Sequence, residues 1–135
     1  MLNVSALAKA VHSLAVALEQ HKNDPEDTLR RDGCIQRFEY TYELSHKMLR
    51  RFLQATEPNP DVVEAMTFQT LVRTGFERGL VEHSWDTWRD WRDKRGTTSH
   101  TYDEDKAMAV FAGIPAFLRE AQYLLAQLQS RLKAP

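Results

Sequence analysis

Residues 35–52 read Ile35-Gln36-Arg37-Phe38-Glu39-Tyr40-Thr41-Tyr42-Glu43-Leu44-Ser45-His46-Lys47-Met48-Leu49-Arg50-Arg51-Phe52. Ile35, Phe38, Tyr42, Leu49 and Phe52 lie on one seam at helical spacing, and polar Ser45 fills its remaining position. That period belongs to an amphipathic α-helix and not to a strand. It predicts a helix over residues 28–56, ended by Pro58-Asn59-Pro60. Gly33 falls inside it, at a cost of about 1 kcal/mol relative to Ala.

The same rhythm extends outward. Upstream, Val4, Leu7, Val11, Leu14 and Leu18 describe a helix that Asn3 or Ser5 can cap and Asn23-Asp24-Pro25 stops. Downstream, residues 61–78 read as one broken or two short helices, with Gly79 as the stop. Ser84 then caps a helix carrying Trp85, Trp88 and Trp91. Residues 95–100 are too polar and too β-branched for a helix. Asp103 is a good N-cap for the last one, where Phe111, Ile114, Leu118, Ala121, Leu125, Leu128 and Leu132 keep the rhythm past an expected kink at Pro115. No useful period-two segment interrupts this. The chain therefore reads as all-α, an antiparallel up-and-down bundle of four to five helices, with residues 1–135 as a single domain.

Composition narrows the function classes. In 135 residues, 18 Lys+Arg against 19 Asp+Glu leave a net charge of −1, which excludes a generally basic nucleic-acid coat but not a basic patch. The single cysteine, Cys34, allows no intrachain disulfide and no Cys-rich zinc site, and is expected to be buried. A reducing, cytoplasmic setting is the simplest expectation. No apolar run approaches a membrane span, and the N-terminus reads as helical rather than as a signal peptide.

Glu43-Leu44-Ser45-His46 is a Glu-x-x-His unit of the kind that binds di-iron centres, but no second unit accompanies it. No metal or cofactor is expected. The tryptophans have the spacing of one core-facing helix stripe, and His12, His21 and His83 read as surface residues. Arg95-x4-His100-x-Tyr102 is different: a cation, an imidazole and a phenol fall within eight residues at a bend between helices. Arginine suits a phosphate bidentately, and histidine can take or give the proton of a ribose 2′-hydroxyl. Together they supply what metal-free RNA cleavage needs. Spacing alone leaves a second reading open, in which Arg95 and His100 only terminate a helix by binding its carbonyls. Residues 89–102 and the second helix, with Arg30, Arg31, Arg37, Lys47, Arg50 and Arg51, are both net positive, which points to a basic cleft.

Two separated segments carry a resemblance. Ile35-Gln36-Arg37-Phe38-Glu39-Tyr40-Thr41-Tyr42-Glu43-Leu44 with Lys47, and Thr98-Ser99-His100-Thr101-Tyr102-Asp103-Glu104, resemble the signatures of the small HEPN-domain proteins called nucleotidyltransferase substrate-binding proteins, close to the HepT toxins. The resemblance spans nearly the whole chain. It implies a HEPN-like bundle that forms a homodimer and pairs with a separately encoded minimal nucleotidyltransferase, the antitoxin. In the toxin branch the Arg and His form a metal-independent RNase site across the dimer, and the partner silences it by adding AMP to the tyrosine. Those roles fall on Arg95, His100 and Tyr102. The alternative it implies is a non-catalytic subunit that binds nucleotide or substrate for the nucleotidyltransferase. Glu39 and Glu43 lie one turn apart. They, Glu43 foremost, are expected to hold the Arg95 guanidinium if their helix face meets it, and otherwise to form surface pairs with Lys47 and Arg51. Arg37 and Ser99 are further supporting or substrate-binding candidates. Two positions depart from the family pattern: Gly96 stands where a polar residue, commonly Asn, is usual, and His46 where an aromatic residue is usual. Gly96 is expected to loosen the backbone beside the arginine.

Overall fold

The computed structural model describes residues 2–133, and among them the helices are α1 (Ser5–Asn23), α2 (Thr28–Thr56), α3 (Pro60–Glu64), α4 (Phe68–Glu77), α5 (Trp85–Arg95) and α6 (Glu104–Leu132). α2 owes its start to Asp27, whose Oδ1 accepts from the amides of Leu29 and Arg30 at 2.9 and 3.3 Å. Its end comes where Glu57 turns extended ahead of Pro58, the conformation proline favours in the residue before it. The six helices exceed the expected four or five because Asn59 and Thr67 each cap a new start, making α3 a separate five-residue helix ahead of α4. Gly79, at φ 73°, is the one positive-φ residue among those described and turns the chain after α4. Neither Asn3 nor Ser5 is the N-cap of α1: Val4 holds that position, and Asn3 Oδ1 accepts from the Ser5 amide at 2.8 Å. α6 runs through Pro115 without a break.

The long helices alternate in direction. Arg37 meets Ser13 and Arg30 meets Gln20, so α1 and α2 are antiparallel. Trp88 meets Glu120 and Trp91 meets Phe117, so α5 and α6 are antiparallel too. α2 sits centrally, against every other helix. Its buried stripe is the expected one: Ile35, Phe38, Tyr42, Ser45, Leu49 and Phe52. The tryptophans are core residues: Trp88 and Trp91 are set edge-on to each other and to Phe117 (Trp88–Trp91 5.1 Å, Trp91–Phe117 5.4 Å), and Trp85 is edge-on to Phe68. Cys34 is buried, which pushes its thiol pKa up. No helix among the described residues is long and apolar enough to cross a membrane.

One buried carboxylate has no counterpart among the sequence expectations. Glu120 is fully enclosed, and its oxygens accept from the amides of Glu82 and His83 (2.8 Å each) and from Trp88 Nε1 (3.1 Å), with His83 Nδ1 at 3.0 Å. A buried charge survives only with such a shell of donors. His83 is therefore not a free surface residue. Nor is His21, whose ring packs 4.4 Å from that of Phe111.

Candidate functional site

The site forms where the C-terminal end of α5 and the turn after it lie against the middle of α2. Arg95 closes α5, and Gly96 follows in ordinary helical geometry (φ −65°, ψ −15°), its amide donating to the Arg92 carbonyl at 3.0 Å. The extra freedom expected of this glycine is therefore not used. A string of tight turns carries the chain on: Thr98 N donates to Arg95 O, His100 N to Thr97 O and Asp103 N to His100 O. Asp103 then caps α6 by accepting from Lys106 N. Both helix ends and the turn between them thus place His100 through backbone bonds.

Arg95 faces two carboxylates one turn apart on α2. Its Nε donates to Glu43 Oε1 at 2.8 Å, and its Nη2 lies 3.7 Å from Glu39 Oε1. Thr98 is buried and completes the arrangement: its hydroxyl donates to Glu39 Oε2 at 2.7 Å and lies 3.0 Å from the Arg95 carbonyl oxygen. The Arg95 side chain remains 30% exposed, so the ion pair contributes little stability but sets the direction of the guanidinium. On the other side of the turn, His100 Nδ1 lies 3.0 Å from the Tyr102 hydroxyl, and Tyr102 is 83% exposed. Neither Arg95 nor His100 spends its side chain on helix carbonyls, which removes the reading left open by their spacing.

Of the other residues singled out in the sequence, Glu43 meets Arg95, whereas Arg37 does not. Arg37 donates to Ser13 Oγ and to the Gly33 carbonyl, in the groove between α1 and α2. Arg37 and Glu43 are six positions apart, which sets them about 120° from each other around a helix, so the two do not share a face. Ser99 is exposed, and the inward hydroxyl belongs to its neighbour Thr98. Glu39 joins Glu43 at Arg95, as their spacing of one turn on α2 allows. Thr98 is a site member to which the sequence alone assigns no role. The basic residues of α2 do not form one cleft. Arg31 is buried against Asp32 and Glu104, Arg30 holds the Gln20 carbonyl, and Arg50 holds the carbonyls of Val63 and Met66.

The Glu43/His46 pair is divided between different partners. His46 packs on Phe68 (4.2 Å), and its Nε2 lies 3.3 Å from Arg50 Nη2. Burial, and then the Arg50 charge, hold its pKa below the usual imidazole value. Burial also pushes the Tyr42 phenol up, so it stays protonated beneath Glu43 and Arg95. Among the described residues no three His, Cys, Asp or Glu side chains converge to hold a metal ion.

The chain is thus a helical bundle whose Arg95–His100–Tyr102 turn is braced by acidic residues of its central helix. Residues 2–130 match the family described as nucleotidyltransferase substrate binding protein like, and the chain belongs to it. Within that family it is HepT-like. It is 40% identical over 138 residues to a Haemophilus influenzae protein named probable ribonuclease HepT, across 96% of this chain and 94% of that one. A solved Haemophilus influenzae structure, described as the fold of a substrate-binding domain of a nucleotidyltransferase, matches at TM-score 0.87 and 38% identity, covering 94% of this chain and 99% of the other.

Proposed function

We propose that the chain is the toxin of a toxin–antitoxin pair, a metal-independent endoribonuclease of the cytoplasm working as a homodimer that sets two Arg95–His100 motifs on one cleft. In this reading His100 takes the proton of a ribose 2′-hydroxyl. The 2′-oxygen attacks the adjacent phosphorus, the 5′-oxygen leaves with a proton returned by an imidazolium, and a 2′,3′-cyclic phosphate remains. Arg95 carries the charge that builds on the phosphate oxygens. The antitoxin is a separately encoded minimal nucleotidyltransferase. The Tyr102 oxygen attacks the α-phosphorus of ATP, pyrophosphate leaves, and AMP stays on the phenol.

The observation that carries this reading is the 3.0 Å approach of His100 Nδ1 to an exposed Tyr102 hydroxyl. One imidazole can thus serve the cleavage and accept the phenol proton, and AMP on that oxygen would put a bulky anion against the catalytic ring. His100→Ala should lower RNA cleavage about 10²–10⁴-fold with its helical circular dichroism intact, while a chelator leaves the parent rate unchanged. With the partner and ATP, label should appear on the parent and not on Tyr102→Phe. An alanine variant that cuts as fast as the parent ends the nuclease reading.

A second reading is favoured by the carboxylates around Arg95, which already answer part of its charge. Here the chain is a non-catalytic subunit that presents a nucleotide or small substrate to the nucleotidyltransferase. Its signature is AMP transfer to a small molecule that depends on this chain, without RNA cleavage.

A further inference from the structure

Beside Arg95, α2 borders a groove of about 510 Å³ whose lining includes Glu43, His46, Lys47, Arg50, Arg51 and Glu64. Glu43 belongs to both places, since it holds Arg95 and forms one end of the groove. From there the exposed positions Glu43, Lys47 and Arg51 follow one another at one turn of helix, a rise of about 6 Å each. That step is close to the phosphate-to-phosphate step of an extended single strand.

The charges in this groove are not equivalent. Arg50 is committed to fold contacts, its Nη1 donating to the Val63 and Met66 carbonyls and its Nη2 facing His46. Glu64 bonds Gln54. Glu43, the natural partner for Lys47 one turn on, is turned to Arg95 instead. Among the described residues neither Lys47 nor Arg51 has an ion-pair partner. The groove thus has a floor fixed by Arg50 and His46 and two unanswered cations aligned with Arg95.

We propose that this groove is the track for single-stranded RNA next to the scissile phosphate, with Lys47 and Arg51 each taking one backbone phosphate. The proposal rests on the ribonuclease reading for its ligand and adds the path of the substrate along α2. The contacts are to phosphate, so the track sets register and affinity rather than base sequence.

The test is binding of a short unstructured oligoribonucleotide to the uncleaving His100→Ala protein across a salt series. Adding Lys47→Ala and Arg51→Ala should weaken binding roughly tenfold at low salt and flatten the plot of log affinity against log salt by about 1.4, that is about 0.7 for each phosphate no longer neutralised. Lys9→Ala with Arg119→Ala, also exposed cations but on α1 and α6 outside the groove, should leave the slope in place. An unchanged slope in the groove variant, or an equal loss in the control, overturns the track. So does retained RNA binding with loss of nucleotidyltransferase pull-down, which would assign these cations to a protein partner. If the parent cuts RNA while the slope is unmoved, only the track fails. Slope loss in a protein that never cuts RNA keeps the track and removes the nuclease. No RNA binding at all removes both.

Discussion

His46 shows what one half-buried imidazole does. It packs on Phe68 as an aromatic ring would, with its pKa lowered by burial and by Arg50. A histidine kept neutral in the folded state makes stability depend on pH in one direction. As pH falls below the ordinary imidazole value near ~6.5, the unfolded chain binds the proton first. The stability is fully present above that pH and is lost toward the lowered folded value, at no more than about 1.4 kcal/mol per pH unit. His46→Phe removes this titration while keeping a ring against Phe68. Urea midpoints at pH 7.5 and 5.5 should therefore fall more steeply with acid in the parent than in the variant, whatever the other four histidines contribute to both. Equal pH dependence in the two proteins would refute the assignment. Single residues are also where the sequence is least legible. Glu120 sits alone on an apolar helix face, and nothing local reveals that the Trp88 indole and two loop amides converge on it. Thr98 and Ser99 are alike in chemistry, and only the turn decides which hydroxyl faces inward.

Helices are read more readily than their contacts because their signals are local. The seam from Ile35 to Phe52 and the stop at Pro58 mark α2, and the tryptophan stripe marks the buried side of α5, whereas the Asp27 cap of α2 is seen only in the structure. How closely two helices approach is not written in either one alone, and the glycines show it. Gly33 and Gly75 both lie inside helices. A Cβ on Gly33 would stand 3.5 Å from Arg37 Nη1, an ordinary contact. One on Gly75 would stand 3.0 Å from Leu49 Cδ1, and Leu49 is itself buried in the core with nowhere to retreat. Gly33→Ala should raise stability by about 0.4–1 kcal/mol, because the unfolded chain loses freedom and nothing clashes. Gly75→Ala gains the same propensity but must push α4 off α2, and should lose roughly 1–2 kcal/mol net. Chemical denaturation of both variants checks the pair. A gain of stability in Gly75→Ala would mean that α4 and α2 are not in close contact there, and a loss in Gly33→Ala would refute the open space at Gly33. The Glu43–Arg95 meeting has the same character, because it depends on how α2 passes α5.

At the scale of the molecule, the net charge of −1 conceals a division of labour among the cations. Arg30, Arg31 and Arg50 are spent on holding helices together, Arg95 is steered by Glu39 and Glu43, and Lys47 and Arg51 face solvent. One protomer therefore presents one Arg95, already part-neutralised, and one His100. General acid–base cleavage of a phosphodiester is better served by two imidazoles than by one, a base at the 2′-oxygen and an acid at the 5′-oxygen. A two-fold dimer that faces two such turns across one cleft would supply both, with the second arginine offsetting the carboxylates. Mixed dimers separate this from two independent sites. Equal amounts of parent and Arg95→Ala/His100→Ala chain, dissociated and reassembled at random, leave about one quarter of the dimers wholly parental and half mixed. Joint action of the two motifs predicts about one quarter of the parental RNase activity, since only the parental dimers cut. Independent motifs predict about one half, because each mixed dimer retains one working turn. A result at one half would confine the chemistry to a single protomer and leave the second imidazole without a role.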